Sequence, residues 1–329
     1  MQRWSILLGL SGLALTTAAW GAEPAPLVLE AKIPLGAVSG RIDHLALDAG
    51  RRLLFIAELG NDSASVVDLD QRKVVHRLSG LREPQGVFFH RPTATLYVAN
   101  GGDGSLRLYQ GPQFTATGRI ELGDDADNIR FDARRNQIVV GHGSGALAVI
   151  DPVSRTKVAD IRLKAHPEAF QFDEAGERMF VNVPRASEIS VVDVAAGKQV
   201  SALDPAGARS NFPMAVDRDS RRVLAVFRSP AKMEAFATGD GKLQASADTC
   251  DDADDVFVDP RRRRLYISCG QGVIDVLVPN AAGYERMARI ATVSGARTSF
   301  FSGDLDRLYL AVRAQGREPA AIWTFRPEP

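Results

Sequence analysis

The chain has 329 residues, 45% of them hydrophobic, and its 40 Lys plus Arg are balanced by 40 Asp plus Glu. A formal net charge of zero argues against a general polyanion binder, and a charged fraction of 24% beside so many apolar residues excludes wholesale disorder. Its 29 glycines and 17 prolines supply turns for many short strands.

The first 22 residues, MQRWSILLGLSGLALTTAAWGA, read as a secretory leader. Arg3 gives a positive start, Ile6 to Leu15 is an apolar run, and Ala19-Trp20-Gly21 or Thr17-Ala18-Ala19 offers a small-x-small cleavage site. The apolar run is too short to span a bilayer comfortably, and it holds no Cys for a lipid anchor. The expectation is a periplasmic or secreted protein with no membrane span once the leader is removed.

From Arg41 onward the sequence repeats. Units open near residues 41, 83, 125, 166, 210, 252 and 296. The turn after the first strand of each unit falls at Asp48, His90, Asp132, Asp173, Asp217, Asp259 and Gly303, spaced 41 to 44 residues apart. Each unit has three runs of β-forming residues separated by Asp, Gly, Pro and Asn turns, and a fourth run closes it, so four antiparallel strands are expected. Seven such units predict an all-β, seven-bladed β-propeller, a single domain over residues 23–329. The last unit lacks its fourth strand, while Leu27 to Gly40 (LVLEAKIPLGAVSG) resembles the fourth-strand segment Ala288 to Gly295 (ARIATVSG). Residues 27–35 are therefore expected to complete the seventh blade and close the ring, leaving no free sheet edge.

Leu96-Tyr97-Val98-Ala99-Asn100-Gly101 resembles the second-strand motif of the YVTN-repeat β-propellers, the family of YncE-like exported proteins. Phe180-Val181-Asn182 and Leu265-Tyr266-Ile267 are weaker copies. Ser65-Val66-Val67-Asp68 and Ser190-Val191-Val192-Asp193 are similar to its third strand. The resemblance covers nearly all of residues 27–325 and implies a propeller. That family and its superfamily neighbours include surface-layer repeats, periplasmic proteins, lactonases and quinoprotein or haem-bearing enzymes, so the fold does not select a reaction.

In such a ring the loop before the first strand (a) and the loop between the second and third (b and c) emerge on one face, around the central channel. Five positions before the turn residue stand Asp43, Gln85, Asp127, Glu168, Phe212, Asp254 and Thr298. Ten positions after it stand Glu58, Asn100, His142, Val183, Phe227, Cys269 and Arg313. Arg41, His44, Asn128, His166, Asn211, Asp255 and Arg297 lie close by in sequence. Polar residues that differ between blades and converge on an axis suggest an asymmetric ligand site. From these we take Arg41, Asp43, His44, Glu58, Asn100, Asp127, Asn128, His142, His166, Glu168, Asp254 and Arg297 as ligand-binding candidates.

His166 and Glu168 are the catalytic candidates, since a His near a carboxylate can act as a general base. The acidic runs Asp124 to Asn128 and Asp251 to Asp255 need neutralising. A divalent cation such as Ca²⁺ held by Asp127, Glu168 and Asp254 is one solution, and Arg41, Arg209 and Arg297 are another. Cys250 and Cys269, the only thiols, share the sixth unit and are expected to form a disulfide. The arginines of the a–b turns, Arg51, Arg52, Arg134, Arg135, Arg221, Arg222 and Arg261 to Arg264, read as a solvated face, and His76 and His90 read as structural.

These readings favour an exported, monomeric binding or interaction propeller that receives a small molecule or protein partner at its channel mouth, and no nucleic acid. The alternative is a metal-assisted, lactonase-like hydrolase or lyase at the same mouth.

Overall fold

The computed structural model describes residues 25–329, and the expected leader lies outside the described residues. Seven four-stranded antiparallel sheets form a ring of blades. Strands a to d run outward from the channel. Blade 1 comprises Leu45–Asp48, Leu53–Glu58, Ser63–Asp68 and Lys73–Ser79. Blade 2 is Pro84–His90, Thr95–Asn100, Ser105–Gln110 and Thr115–Glu121. Blade 3 is Ile129–Asp132, Gln137–His142, Ala146–Asp151 and Thr156–Arg162. Phe170–Phe172, Arg178–Val183, Glu188–Asp193 and Lys198–Leu203 make blade 4. Arg209–Asp217, Arg222–Ser229, Ala231–Ala237 and Leu243–Asp248 make blade 5, and Ala253–Asp259, Arg264–Cys269, Val273–Asn280 and Gly283–Ala291 make blade 6.

Blade 7 draws strands a to c from Ser299–Ser302, Arg307–Val312 and Ala320–Pro327, and its outer strand is the N-terminal Leu27–Gly36. The pairing runs from Leu27 opposite Pro327 to Gly36 opposite Ala320. The ends of the chain are thus joined by backbone hydrogen bonds within one sheet.

The sequence pattern follows from position in the blade. Strands b are continuous apolar runs, such as Leu-Tyr-Val-Ala at 96–99, because both of their faces are buried between neighbouring blades. Strands d are largely exposed and carry charge. The core is accordingly divided into clusters, each lying between two adjacent blades. One of them joins Ile33, Leu35, Ala311 and Ile322 of blade 7 to Leu45, Leu54, Ile56 and Val67 of blade 1, so the ring closes through apolar packing as well as through hydrogen bonds.

The a–b turns repeat one device. The carboxylate ending strand a accepts the N–H groups two and three residues on: Asp48 from Gly50 and Arg51, Asp132 from Arg134 and Arg135, Asp259 from Arg261 and Arg262. A left-handed residue follows at Arg52, Ala94, Asn136, Arg221 and Arg263. In blade 7 the left-handed residue is Asp306, and the Ser302 hydroxyl accepts the Leu305 N–H. Ser302, not Gly303, is therefore the equivalent of Asp48. This corrects the expected register of the last blade by one residue and moves Arg297 into the position first given to Thr298.

Candidate functional site

With that correction the residues five positions before the turn are Asp43, Gln85, Asp127, Glu168, Phe212, Asp254 and Arg297. All of them line one cavity of about 330 Å³ on the ring axis. Arg41, His44, Asn128 and His166 line it too. The local fold explains the convergence. Just before strand a, a residue pairs with strand b of its own blade, as Asp43 N–H does with the Ala57 carbonyl, Asp127 with Gly141 and Glu168 with Asn182. This fixes the backbone and leaves the side chain facing the axis. Between blades 2 and 3 the fit is close. A Cβ on Gly86 would lie 2.2 Å from the Asp127 carbonyl oxygen, so only glycine lets blade 2 approach the loop that carries Asp127.

Three of the expected binding residues do not line this cavity. Glu58 is buried in its own blade, accepting from Ser63 and Ser65 at 2.5 Å. Asn100 accepts the Arg82 N–H and donates to the Val98 and Ser105 carbonyls. His142 meets Asp160 at 2.9 Å. Strand b lies one strand further from the axis than strand a, so the residues at its end fasten the b–c connection instead of reaching the channel.

The cavity has two electrostatic halves. On one side Arg228 and Arg297 grip Asp254, with nitrogen–oxygen distances of 2.5 and 2.9 Å, and both also reach Asp252 at 3.3 and 2.6 Å. The Arg228 guanidinium additionally lies 3.8 Å above the centre of the Phe212 ring. Across the cavity, the Asp127 carboxylate sits between two imidazoles, 3.8 Å from His44 Nε2 and 3.9 Å from His166 Nε2. His166 Nδ1 lies 2.6 Å from the Gly143 carbonyl, which makes Nδ1 the protonated donor. Gln85 ties Asp125 into this half at 3.0 Å, and Arg41 reaches Asp43 at 2.9 Å.

Proton affinities follow from this crowding. Burial opposes charge on His166, but the neighbouring Asp127, the Gly143 carbonyl and Asp125 outweigh it and raise the imidazole to about 9. For Asp127 burial is likewise outweighed, by His166 and His44, so its carboxylate is held below the usual range. Glu168 is the opposite case: burial, and then the charge of Asp127, push its carboxyl up to about 8. Burial also raises Asp43 to about 6, against the pull of His44 and Arg41. At neutral pH the mouth therefore offers a protonated His166 and a protonated Glu168 as donors, and an ionised Asp127 as acceptor. Several acceptor atoms are left short. Asp127 Oδ1 and Asn128 Oδ1 are buried with no hydrogen-bond partner. Glu168 makes neither a side-chain hydrogen bond nor an ion pair among the described residues.

The comparisons with known proteins speak to the frame around this site. No family model and no curated protein matches the sequence. Among solved structures 1717 chains match. One is a Kuenenia stuttgartiensis hydrazine synthase chain, superposing with a TM-score of 0.74 at 18% identity over 84% of this chain and 95% of that one. Another comes from the crystal structure of a mitotic checkpoint complex, with a TM-score of 0.73 at 13% identity over 94% of this chain and 99% of that one. The likeness is one of fold. Proteins of such different roles share the propeller, so only the mouth can argue function.

Among the described residues no group of three or more His, Cys, Asp or Glu side chains comes together as a metal site. Of the three carboxylates expected to hold a cation, Asp254 is neutralised by Arg228 and Arg297 and Asp127 lies between two histidines, while Glu168 has no side-chain partner among the described residues. Of the arginines expected to neutralise the 251–255 run, Arg297 does so at Asp252 and Asp254, joined there by Arg228, whereas Arg41 pairs with Asp43 and Arg209 has no salt bridge among the described residues. Sequence reasoning missed Arg228 and Arg185, which line the mouth from blades 5 and 4. Arg228 lies near the end of strand b in blade 5 and Arg185 just beyond strand b in blade 4, eleven and twelve positions after the turn residue, one and two past the ring of positions read from the sequence. Cys250 and Cys269 are joined in a disulfide with a Cα separation of 5.9 Å. That bond tethers the loop leading to Asp252 and Asp254, beside the arginine half of the cavity. No helix among the described residues is long and apolar enough to cross a membrane.

Proposed function

We propose that this protein is an exported binding propeller of the YVTN-repeat type, whose channel mouth receives a small polar ligand rich in hydrogen-bond donors. The observation that carries this reading is the set of acceptors without partners: Asp127 Oδ1 and Asn128 Oδ1 lie buried in a cavity that all seven blades line. A buried polar atom with no partner costs about 1–3 kcal/mol, and a bound donor recovers that cost. Glu168 adds a carboxyl that ionises reluctantly, and Arg228 and Arg297 add fixed cations for any acceptor the ligand carries. Export is supported by the leader pattern of residues 1–22 and by the Cys250–Cys269 pair, which suits an oxidising compartment. The YVTN assignment rests on the Leu96 to Gly101 motif and the third-strand motifs.

A thermal-shift screen of amino sugars, polyamines and polyols against the purified chain tests the reading. At least one compound is expected to raise the midpoint by several degrees, roughly what saturation at a hundred times Kd confers. Asp127→Asn should abolish that shift. A compound that stabilises the wild type and Asp127→Asn equally would remove Asp127 from the site.

A further inference from the structure

Below the mouth the channel continues into a chamber of about 260 Å³, with His44 and Asp255 at its upper end. Its walls are aromatic: Phe88, Phe131, Phe257 and Phe300 are each half-buried and leave part of the ring facing the space. Phe88 stacks on Phe131 with centroids 5.7 Å apart, and Phe257 meets Phe300 edge to face at 5.9 Å. Arg130 stands among them. Its one hydrogen bond is to the carbonyl of its neighbour Ile129, at 2.8 Å. Arg41, Arg228 and Arg297 in the mouth each have a carboxylate at 2.9 Å or closer. Arg130 has no salt-bridge partner among the described residues. Burial lowers its pKa, and Asp255 and Asp127 oppose that only through space.

A guanidinium held in an apolar chamber without a counter-ion is costly, and a carboxylate that meets its fork relieves that cost. Asp255, the one carboxyl lining the chamber among the described residues, is turned elsewhere, accepting the Ser299 N–H at 2.7 Å. We propose that this chamber is a second binding site, for a small carboxylate on a flat apolar body, with Arg130 as the anchor and the four phenylalanines as walls. The site goes beyond the mouth reading and does not depend on it.

Calorimetric titration with benzoate tests the proposal. Wild-type protein is expected to bind one benzoate per chain, and Arg130→Gln to weaken it at least about tenfold, as loss of a charged, forked contact does. Benzylamine and benzyl alcohol should give no comparable binding, and Glu168→Gln, altered only in the mouth, should keep benzoate affinity within about twofold. If Arg130→Gln does not fold by circular dichroism, Arg130→Lys retains the charge without the fork and should still weaken binding several-fold. Absence of benzoate binding to the wild type, unchanged affinity in a folded Arg130 variant, or equal binding of benzylamine would overturn the proposal. Loss of binding in Glu168→Gln with retention in the Arg130 variants would also overturn it, and would leave the mouth reading standing.

Discussion

At the a–b turns, the carboxylate that ends the inner strand in blades 1, 3, 4, 5 and 6 is satisfied inside its own blade, whereas at the opposite face the residue five positions earlier is left pointing at the axis. Asp259 shows the first arrangement. It accepts the Arg261 and Arg262 N–H groups, the Arg262 guanidinium and the Tyr266 hydroxyl, all within a fully buried carboxylate. Glu168 shows the second, in the same repeat frame, with a raised pKa and no side-chain partner. Identical backbone geometry thus serves stability where the residue type repeats and leaves chemistry open where it varies. A polar group used for folding finds its partners locally. One kept for a ligand does without them until the ligand arrives.

Opening the ring would break both faces at once. Deleting residues 27–36 removes the outer strand of blade 7 and exposes the pockets filled by Leu27, Ile33 and Leu35. At 1.5–3 kcal/mol per buried side chain the loss is about 5–9 kcal/mol, comparable with the whole stability of an ordinary domain. Denaturant unfolding should show the truncated chain unfolded or with its midpoint sharply reduced. A truncated chain of near wild-type stability would mean the ring closes by other means.

Single substitutions separate the faces. Asp259→Ala strands a buried tyrosine hydroxyl and two backbone N–H groups, so it should cost about 3 kcal/mol in urea unfolding while leaving ligand-induced shifts intact. Glu168→Gln should do the reverse, with stability little changed near pH 4.5, raised at neutral pH where the wild type must hold a proton on the carboxyl, and loss of ligand response. It should also alter the pH profile. The folded protein raises Glu168 from 4.5 to about 8, so its contribution is complete below about pH 4.5 and is lost as pH rises toward 8. His166, raised from 6.5 to about 9, acts in the same direction at higher pH. Melting temperature should therefore fall from pH 5 to pH 9, and Glu168→Gln should flatten the lower part of that slope. Smallest of all, Arg261→Ala on the exposed turn should change stability by less than about 0.5 kcal/mol and binding not at all.

The fold was legible because a propeller writes its period into the sequence. Apolar strand b and the Asp turns return every 41 to 44 residues, and the missing last strand pointed to its substitute at Leu27. Blade 7 misled by one residue because Ser302 does with a hydroxyl what Asp does elsewhere, and Gly303 beside it looked more like a turn. The rim was legible from the same frame, since a fixed offset from the turn is a fixed height on the channel wall. Glu58, Asn100 and His142 were not, because residues at the outer end of strand b are indistinguishable by type from residues that face the axis. Arg228 and Arg130 carried no sequence signal at all. What distinguishes them is where each guanidinium lies, on Asp254 for Arg228 and with no salt-bridge partner among the described residues for Arg130, and that is a fact of three-dimensional neighbours.

The most direct test of the account is the titration of Glu168 itself, followed by carbon-13 signals of labelled glutamate and assigned by their absence in Glu168→Gln. A rim that withholds partners from its own groups predicts a midpoint near pH 8. A midpoint at the ordinary glutamate value, near 4.3, would show a solvated carboxyl and contradict the reading of the mouth as a site prepared for a ligand.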